Sequence, residues 1–336
     1  MSDDIPRVDW RVAEATGRRL VRPGPVLDAV SRDRLVASLR AAARRAVALG
    51  EDAAGIAACG DSLELVVDRP GWVRANTLLA AGLLEPLYRE SGAVTPRGAV
   101  AAAALGAEVG GVLAVLAGRV LGQFDPFTPP GRLYLVAPSI VEVERALGVV
   151  PRDFRLWVCL HEQTHRLQFT AAPWLARHLS GMVAELVLSD DDRGVPDVLK
   201  DLVRRPRGLG PRTIDEVFRS PAQQSLFARA NAVMALLEGH ADIMMDRAGA
   251  GAIPTLGTIR ECFERRRSTT MLASRLGRLL GLDRKLAQYR EGAAFCAAVI
   301  ERVGVEGLNA VWTSAERLPS PDEIGHPEAW VARVHG

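Results

Sequence analysis

The reading of this chain turns on PRDFRLWVCLHEQTHRLQF, residues 151–169. Val150-Pro151 is a helix start signal, and Phe154, Trp157, Val158, Leu160, Leu167 and Phe169 supply a broad apolar surface. Such a helix is buried, and its polar side chains need partners. At its centre His161-Glu162-Gln163-Thr164-His165 fits HExxH. Residues i and i+4 lie on one helix face a turn apart, so both imidazoles reach a single metal while the glutamate between them leans toward the open side. Chance produces this pattern in roughly 0.6% of chains of this composition, which makes it informative but not sufficient.

A zinc site of this kind needs a third protein ligand. The extended pattern HExxHxxGxxH fails, with Gln168 in place of the glycine and Ala171 in place of the third histidine. The ligand must therefore come from another helix. Downstream, Ser220-Pro221 starts an apolar run in which Glu238 and Asp242 stand one turn apart. In the economical arrangement Glu238 completes the metal site. Asp242 then accepts a hydrogen bond from the outer nitrogen of His161 and fixes its tautomer. His240 points roughly 160° away from Asp242 on the helical wheel, a supporting position rather than a ligand's. Two imidazoles, one carboxylate and an open position suit zinc. With Glu162 as general base, the chemistry is metal-assisted attack of water on an amide carbonyl. The competing expectations are a zinc-binding structural or regulatory protein without hydrolytic activity, and a coincidental buried polar cluster.

Outward from the motif, the chain has 336 residues, is 48% hydrophobic and 24% charged, and carries a formal charge of +2, which excludes a disordered chain. Lys200 and Lys285 are the only lysines; the arginines are interspersed with Asp and Glu, which speaks against nucleic acid as a partner. Cys59, Cys159, Cys262 and Cys296 show no CxxC spacing, and the start Met-Ser-Asp-Asp lacks the features of a signal peptide, so a cytoplasmic location with reduced cysteines is expected. Ala99 to Ala117 is apolar throughout except for Glu108, and reads as a tightly packed buried helix rather than a membrane span. Ser31 opens an amphipathic run to Gly50, and Ser139 with Glu142 and Thr258 with Glu261 look like capping boxes. Strand-like runs are few: Leu63 to Val67 and Leu133 to Ala137, the latter either an edge along the cleft that pairs with a peptide or an interior strand. The expected class is α+β, predominantly helical, with a small sheet. Residues 189–212, rich in Asp, Gly and Pro, read as an exposed excursion.

HEQTH with the following RLQF, and EGHADIMMD at 238–246, resemble the bacterial zincin-like metallopeptidase type 2 family. VDWRVAEATGRRLVRPGP near the N-terminus, LGQFDPF at 121–127, LYLVAPSI at 133–140 and QYREGAAF at 288–295 extend the resemblance over most of the chain. It implies a zincin-like metalloprotease fold with the small sheet beside the HExxH helix, a zinc held by His161, His165 and Glu238, and Glu162 as general base. Tyr289, in the family-like QYREGAAF segment, is the candidate second donor to the oxyanion, with Arg290 and His178 as weaker candidates. The substrate class implied is a peptide or protein. The expected organisation is an N-terminal helical region, 1–130, packed on a zincin-like metal-binding core, 131–336, with C-terminal helices. Glu238 follows His165 at a long interval, so the intervening helical segment is expected to shape or cover the cleft.

Overall fold

A computed structural model describes residues 7–57, 60–89, 96–188, 220–273 and 282–336. In chain order the elements are α1 (Trp10–Leu20), α2 (Ala29–Ala54), β1 (Leu63–Val67), α3 (Arg69–Arg89), α4 (Pro96–Ala117), β2 (Gly122–Asp125), β3 (Arg132–Val136), α5 (Ala137–Leu147), α6 (Pro151–Ala171) and α7 (Leu175–Leu188). They continue with α8 (Pro221–Gly249), α9 (Leu256–Ala273), α10 (Leu282–Leu308), two short 3-10 turns (Asn309–Trp312 and Ala315–Arg317), α11 (Pro321–Gly325) and α12 (Pro327–His335). The architecture is the helix-rich α+β fold expected, with a small sheet beside the HEQTH helix.

Helix α6 is buried on almost every side, and its apolar residues are shared among the neighbours that hold it. Phe154, Leu156, Trp157, Val158 and Leu160 pack with Leu35, Leu39, Ala43 and Ala46 of α2 and with Leu133 and Leu135 of β3. Farther along, Leu167 joins a second core built from Leu236 and Leu237 of α8, Phe295 and Val299 of α10, and Trp312 and Trp330. Three polar residues of α6 show the partners that burial demands. Asp153 accepts from the backbone N–H and hydroxyl of Thr255, Arg155 forms a two-pronged pair with Glu144, and Gln163 donates to Ala43 O and to the Glu64 carboxylate. Helix α8 is in turn backed by α10 at a crossing too close for side chains. A Cβ on Gly239 would lie 2.1 Å from the carbonyl carbon of Gly292, so any larger residue at either position pushes the two helices apart.

The sheet has the order β1-β3-β2. β1 runs parallel to β3 with Leu63 opposite Arg132, and β2 runs antiparallel to it with Gly122 opposite Leu135. LYLV is therefore the interior strand, flanked by β1 and β2 as the two edges, and the second side of β2 has no strand partner among the described residues. The sheet draws strands from both sides of residue 130.

Several local expectations are corrected. Ser139 caps nothing: it lies buried within α5, donates to Ala117 O and accepts from Arg69, whose guanidinium also pairs with Glu142. Its hydroxyl joins α3, α4 and α5 instead of closing a helix end. Thr258 lies inside α9, which starts two residues earlier because Thr255 is anchored on Asp153. α2 begins at Ala29, with Asp28 rather than Ser31 as its cap, accepting from the Ser31 N–H. α4 packs closely on one face only. Gly110 of α4 touches the α1 backbone, where a Cβ would meet Ala13 O at 2.3 Å, while Val100 and Val115 remain exposed. Gly98–Ala117 is the one described stretch long and apolar enough, by composition, to cross a membrane. The 189–212 excursion lies outside the described residues.

Candidate metal centre

α6 and α8 bring three donors to one point. His161 Nε2 and His165 Nε2 are 3.1 Å apart, His161 Nε2 and Glu238 Oε2 3.4 Å, and His165 Nε2 and Glu238 Oε2 3.9 Å. Among the described residues this is the one group of three or more such donors within 4.8 Å of one another. Ligand atoms about 2.1 Å from a tetrahedral zinc are separated by about 3.4 Å, and the three separations bracket that value. The donor set fits a tetrahedral cation with its fourth position open.

The tautomer of His165 is fixed by a residue on its own helix. Gln168, fully buried, donates its two amide hydrogens to Leu237 O (2.7 Å) and His240 Nδ1 (3.0 Å), which turns its oxygen to His165 Nδ1 at 2.9 Å. This network assigns the proton of His165 to Nδ1 and leaves the Nε2 lone pair facing His161 and Glu238. His240 is buried beside it, with its ring edge on Trp312 (centroids 5.1 Å, 83°) and Nε2 without a hydrogen-bond partner. The outer nitrogen of His161 lies 3.9 Å from Asp242 Oδ1, an electrostatic neighbour beyond hydrogen-bond reach.

Glu162 is buried directly under the edge strand. A Cβ on Gly122 would fall 2.5 Å from Glu162 Cγ and 2.7 Å from Oε1, so the carboxylate occupies the space a side chain of β2 would take. Burial pushes the Glu162 carboxyl up to about 7, opposed by the charge of His161 and reinforced by Glu238. Burial pulls His161 down, but the hydrogen bond and charge of Glu238, with Glu162 and Asp242, outweigh it and carry the imidazole up to about 9. His165 is lowered by burial, and His240 is lowered to about 3 by burial and the charge of His165. Without a metal, the cluster of carboxylates thus holds a proton on His161 where a cation would otherwise sit.

Two cavities meet at this point. The smaller, about 240 Å³, is lined by Leu121, Gly122, Trp157, His161, Glu162, Glu238, Asp242, Arg260, Phe263 and Glu264. The larger, about 500 Å³, opens from the same His161, Glu162 and Glu238 toward α7 and the first half of α8. The intervening segment thus shapes the cleft through α7, as the long interval before Glu238 led one to expect. His178 lies apart from the site, with its ring against Trp174. The side chains of Tyr289 and Arg290 lie outside the described residues. Sequence reasoning missed three participants: Gly122, Gln168 and Arg260, which reaches into the smaller cavity while bound to Asp246 at 2.5 Å. Gln168 and Gly122 were visible only as members of the family-like segments RLQF and LGQFDPF and, for Gln168, as a departure from a longer motif, with nothing to mark their roles, and Arg260 carries no local signal.

A helix-borne HxxxH pair closed by a glutamate from a second helix defines a zincin-like metal site. The chain belongs to the zincin-like metallopeptidase family, whose profile matches residues 8–331. It is also similar to a solved structure from Chloroflexus aurantiacus, described provisionally as a hydrolase with a novel fold. That structure shares 31% identity and a TM-score of 0.68, over 97% of this chain and 98% of the other. No curated protein matches.

Proposed function

We propose that the protein is a zinc-dependent peptidase that hydrolyses an amide bond, with His161, His165 and Glu238 as metal ligands and Glu162 as general base. The observation that carries this reading is the position of Glu162, beside the three converging donors and at the junction of two cavities. A purely structural zinc site is closed by its fourth ligand, whereas this one opens on both sides to space for a substrate. A bound zinc supplies Lewis acidity, acidifying water to a pKa near about 7 and polarising a carbonyl. Glu162, with its carboxyl balanced near neutrality, accepts the proton of the attacking water and returns it to the leaving amine. Gln168 keeps the proton of His165 on Nδ1. The unpaired side of β2 offers main-chain groups to an extended peptide beside Glu162.

Elemental analysis of protein purified without chelator or histidine tag tests the ligands. About one zinc per chain is expected, lost in His161→Ala and in Glu238→Ala. Glu162→Gln is expected to keep the metal and abolish turnover; a variant that still hydrolyses peptides would remove Glu162 as the base.

A further inference from the structure

The two cavities are not equivalent, and β2 sets their order. Gly122 borders both, Leu121 only the smaller, and Gln123 and Phe124 only the larger. Travelling along β2 from Leu121 to Phe124 therefore leads from one cavity across Glu162 into the other. A peptide added to this edge in the more stable antiparallel sense runs the opposite way. Its N-terminal, acyl half then lies over the larger cavity, and its C-terminal, amine half over the smaller.

The walls of the larger cavity are apolar. Phe124, Phe169, Met182, Val183, Leu226 and Met234 line it, and among the described residues its titratable ones are those of the metal centre at its mouth. The amide of Gln123 is already committed to a reciprocal pair with Asn76 at 3.0 Å. Val183 and Met234 are 39% and 37% exposed, large apolar side chains left open to water beside the reacting atoms. The smaller cavity, in contrast, mixes Trp157 and Phe263 with Asp242, Arg260 and Glu264. Within the hydrolase reading, on which this inference rests, we propose that the substrate carries a bulky apolar residue on the acyl side of the scissile bond, seated in the cavity between β2, α7 and α8. A charged side chain there would face apolar walls, with no charged group along them beyond those of the metal centre at the mouth. Selection on the amine side is weaker, because that cavity is smaller and of mixed character. The two methionines allow aromatic and branched aliphatic groups to be accommodated in the same space.

Amino-acid hydroxamates test this without turnover, because the chelating group replaces the scissile amide and leaves the side chain on the acyl side. Binding of acetohydroxamate, N-acetylglycine hydroxamate and N-acetylphenylalanine hydroxamate to the zinc-loaded protein would be measured by calorimetry. The phenylalanine compound is expected to bind about tenfold or more tighter than the glycine compound. Ala230→Trp, which fills the cavity, should erase that difference while acetohydroxamate binds as to the wild type. Met234→Lys, at a partly exposed wall position, should reduce the difference by placing a charge there. Cleavage of a peptide library should generate new N-termini directly after Phe, Leu, Met or Trp. Equal binding of the glycine and phenylalanine hydroxamates, or cleavage before rather than after apolar residues, would overturn the inference and leave the hydrolase reading standing. Tight, side-chain-selective hydroxamate binding with no peptide cleaved would support the apolar site and reject hydrolysis. Failure of acetohydroxamate itself to bind would remove the metal reading, and the inference with it.

Discussion

Replacing Gln168 by leucine removes three contacts in a fully buried position: the acceptor of His165 Nδ1–H and the donors to His240 Nδ1 and Leu237 O. Leucine fills similar space, so the cost lies in the polar groups it strands. His165 Nδ1–H and His240 Nδ1 lose their partners in the interior, each at about 1–3 kcal/mol, which gives about 2–6 kcal/mol of lost stability. The proposed zinc feels a separate effect. Losing the group that holds a ligand imidazole in its tautomer and orientation costs about tenfold to a hundredfold in metal affinity. Gln168→Glu distinguishes the two consequences: it still accepts from His165, but turns an acceptor toward Leu237 O and His240 Nδ1. It should therefore be destabilised while holding zinc nearly as well as the wild type. Competition with a chromophoric chelator gives the affinity, and thermal unfolding of the metal-free protein the stability. A leucine variant that loses stability yet binds zinc with unchanged affinity would show that Gln168 packs the core and does not position His165.

Gly122→Ala places a methyl group about 1 Å too close to the Glu162 side chain, judged against ordinary contact distances. A shift of that size in a catalytic group costs on the order of a hundredfold in turnover, so kcat should fall while zinc content stays at the wild-type level; unchanged kcat would move the base elsewhere. The proton on His161 sets the pH dependence of metal uptake. Its metal-free pKa is about 9, raised from 6.5, so zinc should displace about one proton per chain below pH 9 and lose about tenfold in affinity per pH unit as the pH falls toward neutrality. Calorimetry in buffers of different ionisation enthalpy counts that proton. The same raised value stabilises the metal-free fold fully below pH 6.5, and this contribution is lost as the pH rises through 9. Zinc-loaded protein should not show that loss, so parallel melting curves for the two forms across this window would contradict the assignment.

What the sequence made legible was periodic or punctuated. Pro151 and Pro221 start the two metal helices where the Val150-Pro151 and Ser220-Pro221 signals indicated, and the LELVV run forms β1. The four candidate residues His161, Glu162, His165 and Glu238 meet because each lies on the inward face of a helix whose period could be counted. Asp242 is also on that face, though its carboxylate stands off from His161. The failures share a different cause. Ser139 and Thr258 matched capping patterns in sequence but are held by partners far along the chain, Arg69 and Ala117 for the first and the Asp153 anchor of Thr255 upstream of the second. β2 is four residues long and contains Gly, Gln and Asp, poor strand formers, and exists because β3 beside it has a free edge. Propensity and periodicity are local, and these elements are set by tertiary contacts.

The division between rigid and open halves of the site explains how such a centre can be both strong and accessible. Its candidate ligands stand on α6 and α8, with α6 enclosed by α2 and β3 and α8 held against α10 at the Gly239–Gly292 contact. Neither helix can shift without opening a core, and this keeps the donor separations near those a tetrahedral ion demands. The approach side is made instead from a short edge strand and from α7, which leave two cavities against the same glutamate. Glu162 sits at the boundary, carried by the rigid helix but shaped by the strand, because only glycine at position 122 leaves it room. On the proposed reading, changes in the strand should therefore alter Glu162 and substrate binding without touching the metal, while changes behind the helices, at Gln168 or at the glycine crossing, should alter metal binding first.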